Sequence, residues 1–188
     1  KNMYDLSAIG DALIDFTPSS GFEEDRPVYQ CNVGGTVCNL VVAAAKLGLE
    51  TMFAGKVGDD CMGDLIHKEM KRYKVDLSGY VKDKEHFTTQ SFVTLQPNGE
   101  RNFSFSRRYG ADIFLKINEV PVEKMMDTVF LHFSGMCMTD EPIRSTTFEI
   151  LKEAKKREKI VTVDVNYRSK LWKSEEDMVK TMRESLQY

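Results

Sequence analysis

The alternation of short apolar runs with helical patterns is the feature that most limits the folds open to this chain of 188 residues. The runs have the length and the apolar or β-branched content of buried strands. They lie at residues 4–9, 51–57, 129–133 and 160–165. The helical patterns lie at residues 36–48, 61–73 and 142–157 and after Ser174. This order predicts an α/β fold, in which a mostly parallel sheet has helices on both faces.

Two segments interrupt this alternation and predict a second, smaller sheet. They span about residues 12–33 and 88–107. In the second segment, the sequence Pro-Asn-Gly at residues 97–99 joins two strand-like runs, which is a strong hairpin signal. Phe103 and Phe105 alternate there with polar residues, so that strand has one apolar and one polar face.

Composition and charge exclude several function classes. The chain is 41% hydrophobic and 29% charged, and its net charge is −3. It has no long basic stripe, so neither nucleic acid nor a membrane surface is an expected partner. The four cysteines form no CxxC motif and the three histidines are scattered, which argues against a zinc site and a disulfide framework. We expect reduced thiols, a cytoplasmic location and no metal ligand.

The most informative local motif is a pair of glycines, Gly34 and Gly35, directly before a predicted helix. Glycines let the backbone approach a ligand closely, and the N–H groups of a helix N-terminus point toward that position. Asn39 adds an amide that can donate and accept, which suits a ligand rich in hydroxyls. A glycine pair before a helix is common, so taken alone it fits a tight turn without a ligand equally well.

Polar side chains also follow the predicted strands, where open α/β sheets bind ligands. Asp15 lies between two apolar residues, and because a buried carboxylate needs partners we interpret it as a ligand acceptor. Asp11 follows a glycine and fits a turn residue equally well. Asn166 and Arg168 alternate at the end of the last strand. For Arg168, a structural ion pair with Asp164 is the alternative to ligand binding.

A further candidate is Arg107, which continues the face of the hairpin strand that carries Phe103 and Phe105. This period of two favours a guanidinium that points inward with the two rings. A solvated pair formed with Arg108 is the simpler alternative.

Five stretches, in order along the chain, resemble the PfkB/ribokinase family of sugar kinases, and most of all its fructokinases. They read AIGDALIDF from residue 8, GGTVCN from 34, FAGKVGDD from 53, FSFSRRYGAD from 103 and DVNYRSKLW from 164. The chain departs from the family pattern at Val37, Val41 and Val165, and at Asp11, where the family usually has Glu. Asp11 is one methylene shorter, and the other changes remove no polar group.

The resemblance implies a ribokinase-like fold in which the small sheet is a lid over a sugar site and pairs with the lid of a second subunit. It implies ATP-dependent phosphorylation of a sugar, with Mg²⁺, and most specifically the conversion of fructose to fructose 6-phosphate. The substrate-binding residues expected from it are Asp11, Asp15, Gly34, Gly35, Asn39, Arg107, Asn166 and Arg168.

No catalytic residue is expected in this sequence. The family's base belongs to a Gly-Ala-Gly-Asp motif and its magnesium-linked motif is Asn-x-x-Glu, and neither occurs. We therefore expect residues 1–188 to be the N-terminal portion of a ribokinase-like domain, able to bind sugar weakly but not to transfer phosphate.

Three other functions compete with this one. In a 2-keto-3-deoxygluconate kinase, Arg107 and Arg168 could hold the substrate carboxylate. A non-catalytic sugar-binding or dimerisation module would use the small sheet as its interface. A dinucleotide-binding domain is disfavoured, because no G-x-G-x-x-G follows the first strand.

Overall fold

The fold consists of a parallel sheet and a small second sheet, in a computed structural model that describes residues 3–19, 28–95 and 101–188. The strands are β1 (Tyr4–Ile9), β2 (Leu13–Pro18), β3 (Tyr29–Gly34), β4 (Thr51–Gly58), β5 (Asp76–Asp83), β6 (Gln90–Leu95), β7 (Arg101–Ser106), β8 (Thr128–Ser134) and β9 (Ile160–Asp164). The helices are α1 (Thr36–Lys46), α2 (Cys61–Arg72), α3 (Val122–Met125), α4 (Ile143–Lys156) and α5 (Glu175–Ser185).

The larger sheet has five strands in the order β5-β4-β1-β8-β9, and every neighbouring pair is parallel. One hydrophobic cluster packs α1 and α2 on one face, through residues such as Val41 and Ile66. A second cluster packs α4 and α5 on the other face, through residues such as Ile150 and Met182. The predicted α/β fold, with helices on both faces, is confirmed.

Strand β5 was not predicted from the sequence. Its polar sequence DLSGYVKD shows no apolar run and no clean alternation, and it forms an edge of the sheet with half-buried or exposed side chains. Gly79 lies where β5 approaches β4, since a Cβ there would come within 2.9 Å of the Ala54 Cα. An edge strand can stay polar because one of its sides faces water, so periodicity does not reveal it.

The smaller sheet, β3-β2-β6-β7, is separate from the first and is called the small sheet below. The pairs β2–β3 and β6–β7 are antiparallel, as expected for two hairpin-like segments. The two halves join through a parallel pairing of β2 with β6, in which Ile14 lies opposite Gln90. The predicted turn at residues 97–99 lies outside the described residues.

One carboxylate of the α/β body, that of Asp60, holds the segment that leads into β6 of the small sheet. Asp60 caps α2, with Oδ1 accepting from the N–H groups of Met62 and Gly63 at 3.0 and 2.8 Å. The same carboxylate accepts from the Thr88 N–H at 2.8 Å and the Thr88 hydroxyl at 2.7 Å. The start of α2 and the approach to β6 are therefore fixed to one side chain.

Candidate functional site

A cavity of about 240 Å³ lies between the small sheet and the carboxyl ends of β1 and β8. It is lined by Asp11, Leu13, Asp15, Thr17, Gly35, Thr36, Asn39, Val93, Phe103, Phe105, Met136, Asn166 and Arg168. Six predicted site residues therefore meet in one place, whereas Gly34 and Arg107 do not line it. A larger surface depression along α5, of about 1000 Å³, contains none of the predicted residues.

Asp15 reaches this cavity from β2, on the strand face that also carries Leu13 and Thr17. Burial raises the pKa of its carboxyl above the ordinary value, and the nearby Asp11 charge adds to this, while the Ser91 hydroxyl and the Arg168 charge oppose it. The Asp15 carboxylate is thus held in a place that favours neutralisation or a ligand that donates hydrogen bonds.

Gly34 and Gly35 serve two different purposes. A Cβ on Gly34 would overlap Oδ2 of Asp15, so the bare backbone at 34 leaves room for that carboxylate. Gly35 has a φ of +103°, and a Cβ there would lie 2.6 Å from the backbone oxygen of Asp11 and 2.9 Å from the Ala12 Cα. Gly35 therefore allows the turn into α1 to close against the loop that follows β1.

Asp11 is buried, with only 2% of its surface exposed, and both of its oxygens are engaged. Oδ2 accepts from the backbone N–H of Thr36 at 2.6 Å, and Oδ1 accepts from the hydroxyl of Ser134 at 2.9 Å. Asp11 thus ties the first turn of α1 to the end of β8 and forms a wall of the cavity at the same time.

Asn166, which shares Thr36 as a neighbour with Asp11, has a φ of +35°, and its backbone N–H donates to Oδ1 of Asp164 at 2.9 Å. Its side-chain amide donates to the hydroxyl of Thr36. The Arg168 guanidinium lies 5.0 Å from the centre of the Phe103 ring, a cation–π arrangement. Asp164 therefore supports Asn166, while the small sheet supports Arg168.

Arg107 lies outside the lining and is 4% exposed. Its Nε donates to Oδ2 of Asp112 at 2.7 Å, and its Nη2 donates to the carbonyl of Met136 at 2.9 Å. Its Nη1 donates to the hydroxyl of Thr139 at 2.6 Å. The guanidinium does point inward, as its strand register predicted, but it contacts the protein and not the cavity.

Comparison with known proteins places this arrangement in a family. The model of the pfkB family carbohydrate kinases matches residues 3–188. The chain belongs to the pfkB carbohydrate kinase family. Probable fructokinase-7 of Arabidopsis thaliana is 35% identical over 169 residues, which are 89% of this chain and 49% of that protein. This pfkB chain thus spans about half the length of the curated relatives it matches.

Solved structures agree with the fold. The fructokinase from Xylella fastidiosa superimposes with a TM-score of 0.90 at 29% identity, covering 97% of this pfkB chain and 57% of that one. A second structure of that fructokinase has ATP bound. A double mutant of fructokinase from Vibrio cholerae O395, with fructose, ADP and potassium bound, gives 0.84 at 27% identity and covers 98% of this chain and 57% of its own.

Several lining residues of the pfkB chain were not predicted. Leu13 and Thr17 could have been found, because they alternate with Asp15 along β2. Phe103 and Phe105 were recognised as one strand face but were not assigned to the site. Met136 carries no such signal, since it lies in a short 3₁₀ turn after β8.

The lining suits a neutral ligand rich in hydroxyls. It contains two carboxylates and one guanidinium, a balance that disfavours a triphosphate. Across residues 3–19, 28–95 and 101–188, no group of three or more His, Cys, Asp or Glu could hold a metal ion. Within the same ranges, no helix has the length and apolarity to cross a bilayer.

Proposed function

We propose that residues 1–188 form the sugar-binding part of an ATP-dependent fructokinase, which converts fructose and ATP to fructose 6-phosphate and ADP. The observation that supports it best is the convergence of Asp15, Asn39, Asn166 and Arg168 on one cavity. A volume of 240 Å³ corresponds to about eight waters, the scale of a monosaccharide.

In this proposal the residues divide the work of recognition. Asp15 accepts hydrogen bonds from two sugar hydroxyls, and these are strengthened by its charge. Asn39, Asn166 and Arg168 supply donors to the remaining oxygens, Gly35 lets the sugar approach the backbone closely, and Gly34 leaves room for the Asp15 carboxylate. Phe103 and Phe105 cover the ligand and exclude water, which strengthens each polar contact.

The donor and the wider assembly also belong to the proposal. ATP is supported as the phosphoryl donor by the ATP-bound and ADP-bound fructokinase structures. We assign the catalytic base, the ATP pocket and Mg²⁺ to protein outside these 188 residues. We place the protein in the cytoplasm. We also expect a homodimer that forms through the small sheet. An aromatic group on that sheet supports this, because Tyr29 is 39% exposed beside the stacked rings of Phe16 and Phe92.

Calorimetric titration of the chain with fructose tests the proposal, with a phosphorylation assay in the presence of ATP and Mg²⁺ run in parallel. We expect weak, saturable fructose binding and no phosphate transfer. Binding of neither fructose nor any related sugar would overturn the assignment of the cavity. Phosphate transfer by this chain would overturn the assignment of catalysis to protein outside it.

A second candidate is a 2-keto-3-deoxygluconate kinase. The observation that favours it is Arg168, which lines the cavity and stacks on Phe103, leaving its guanidinium able to hold a carboxylate. Tighter binding of 2-keto-3-deoxygluconate than of fructose in the same titration would select this function.

Fructose affinity is expected to depend on pH through Asp15. Burial raises the pKa of this carboxyl above 3.8, and the ionised form accepts stronger hydrogen bonds from hydroxyls than the protonated form does. Affinity should therefore fall as the pH drops through the raised pKa, at a higher pH than for an ordinary aspartate. Ligand-free stability should change the other way, since a raised folded-state pKa favours folding at lower pH. Fructose titrations of wild type and Asp15→Asn at several pH values check this. If affinity depended on pH in the variant as it does in wild type, Asp15 would not be the cause.

A further inference from the structure

The small sheet is fixed to the α/β body by a buried polar cluster centred on Arg107, just after the end of β7. Arg107 is 4% exposed and Asp112 is 4% exposed, and their Nε–Oδ2 distance is 2.7 Å. The other oxygen of Asp112 accepts from the hydroxyl of Thr89, just before β6. One carboxylate therefore holds both strands of the β6–β7 pair at their shared base.

The same guanidinium reaches the turn beneath the cavity. Nη2 donates to the Met136 carbonyl at 2.9 Å, and Nη1 donates to the Thr139 hydroxyl at 2.6 Å. Nη1 also lies 3.4 Å from Oδ2 of Asp140. Arg107 thus links the strand that carries the Phe103 and Phe105 wall to the turn that carries the Met136 floor.

We propose that Arg107 is a positioning residue: held by Asp112 and Thr139, it sets the distance between the Phe103–Phe105 wall and the Met136 floor without touching the sugar. This inference rests on the proposed function for its effect on sugar affinity. It differs from the direct sugar contact that the family resemblance implied, because the guanidinium is occupied by protein groups and is absent from the lining.

Arg107 is expected to raise sugar affinity because a cavity that is already rigid does not have to be ordered by its ligand. A buried charged hydrogen bond resists opening, since separating the partners leaves an uncompensated polar group. Loosening one anchor lets β7 move relative to Met136, and fructose must then supply the ordering free energy from its own contacts.

Two substitutions of Thr139 separate hydrogen bonding from packing. Thr139→Val keeps the volume but removes the acceptor for Arg107, and we expect fructose affinity to fall about tenfold. Thr139→Ser keeps the hydroxyl but loses a methyl group, and its affinity should stay near that of wild type. Packing alone would give the opposite order, so a weaker Ser variant would overturn the proposal. Ile150→Val, buried in α4, controls for a general loss of stability.

Two further measurements complete the test. Hydrogen exchange of the β7 amides should quicken in Thr139→Val but not in Ile150→Val, and equal exchange would refute the link whether or not sugar binds. Failure of wild type to bind fructose would count against the proposed function alone.

In wild type, saturating fructose should shift the NMR signal of the Arg168 Nε–H and leave that of the Arg107 Nε–H in place. A shift of the Arg107 signal instead would establish direct contact between Arg107 and the sugar. If Thr139→Val does not fold, Asp140→Asn tests the same anchor with a smaller expected effect, about threefold.

Discussion

Replacing Asp15 by Ala is expected to weaken fructose binding on the order of a hundredfold. The change removes two charge-assisted hydrogen bonds to sugar hydroxyls and leaves those hydroxyls facing an apolar gap. Folding stability should hardly fall, because burial already raises the pKa of this carboxyl and so disfavours its charged form in the folded state. Isothermal titration of the variant with fructose, together with urea denaturation, measures both effects.

Asp59→Ala is the matched control for that experiment. Asp59 is an aspartate that follows β4 of the parallel sheet, and its carboxylate is exposed and pairs with Lys82 at 3.4 Å outside the cavity. Its removal should leave fructose affinity unchanged. If both variants bound fructose like wild type, Asp15 would have no part in sugar recognition and the cavity would lose its principal acceptor.

The second large effect is expected from Gly35→Ala, which should lower the free energy of unfolding by about 3 kcal/mol or more. The φ of +103° strains any L-residue, and the new Cβ would meet the backbone of Asp11 and Ala12, which cannot move aside as a flexible side chain can. Relief of the clash would displace the first turn of α1 from Asp11. Urea denaturation measures the loss.

Gly48→Ala separates the two causes of that loss. Gly48 has a similar φ of +90°, but no heavy atom lies within 4 Å of a Cβ built there. It should cost only the conformational penalty, about 1 kcal/mol. Equal losses in the two variants would show that the contact of Gly35 with the Asp11 loop contributes nothing to stability.

The α/β body was predictable because the central strands β1 and β4 are buried on both faces, β8 and β9 are apolar or β-branched runs, and the helices repeat at helical spacing. The starts of two helices also carry a local sequence signal, a capping side chain. Asp60 caps α2, and the hydroxyl of Ser174 caps α5 by accepting from the Asp177 N–H at 3.0 Å. What escaped was β5, since an edge strand needs no apolar pattern. The parallel pairing of β2 with β6 was not predicted either, because no local sequence signal specifies which distant strand becomes a neighbour.

The site was predictable to the same extent. Asn166 and Arg168 could be placed at the carboxyl end of the parallel sheet, because they follow its last strand. Asp15 lies within β2 of the small sheet and reaches the same cavity from there. Arg107 shows where this reasoning stops. Its register correctly predicted an inward direction, but the groups that bind it include Met136 and Thr139, which only the tertiary fold brings near. A direct contact with sugar stays a prediction of the resemblance, and the ion pair with Asp112 argues for a different role.

The parallel joint of β2 with β6 has a consequence for the order of folding. Between the two strands the chain forms β3, α1, β4, α2 and β5, so Ile14 and Gln90 are neighbours in the sheet but far apart along the chain. Closing so long a loop costs entropy that local contacts cannot offset early. The small sheet should therefore be among the last parts to form and the first to open, and a chain that has not finished folding has no place for a sugar to bind.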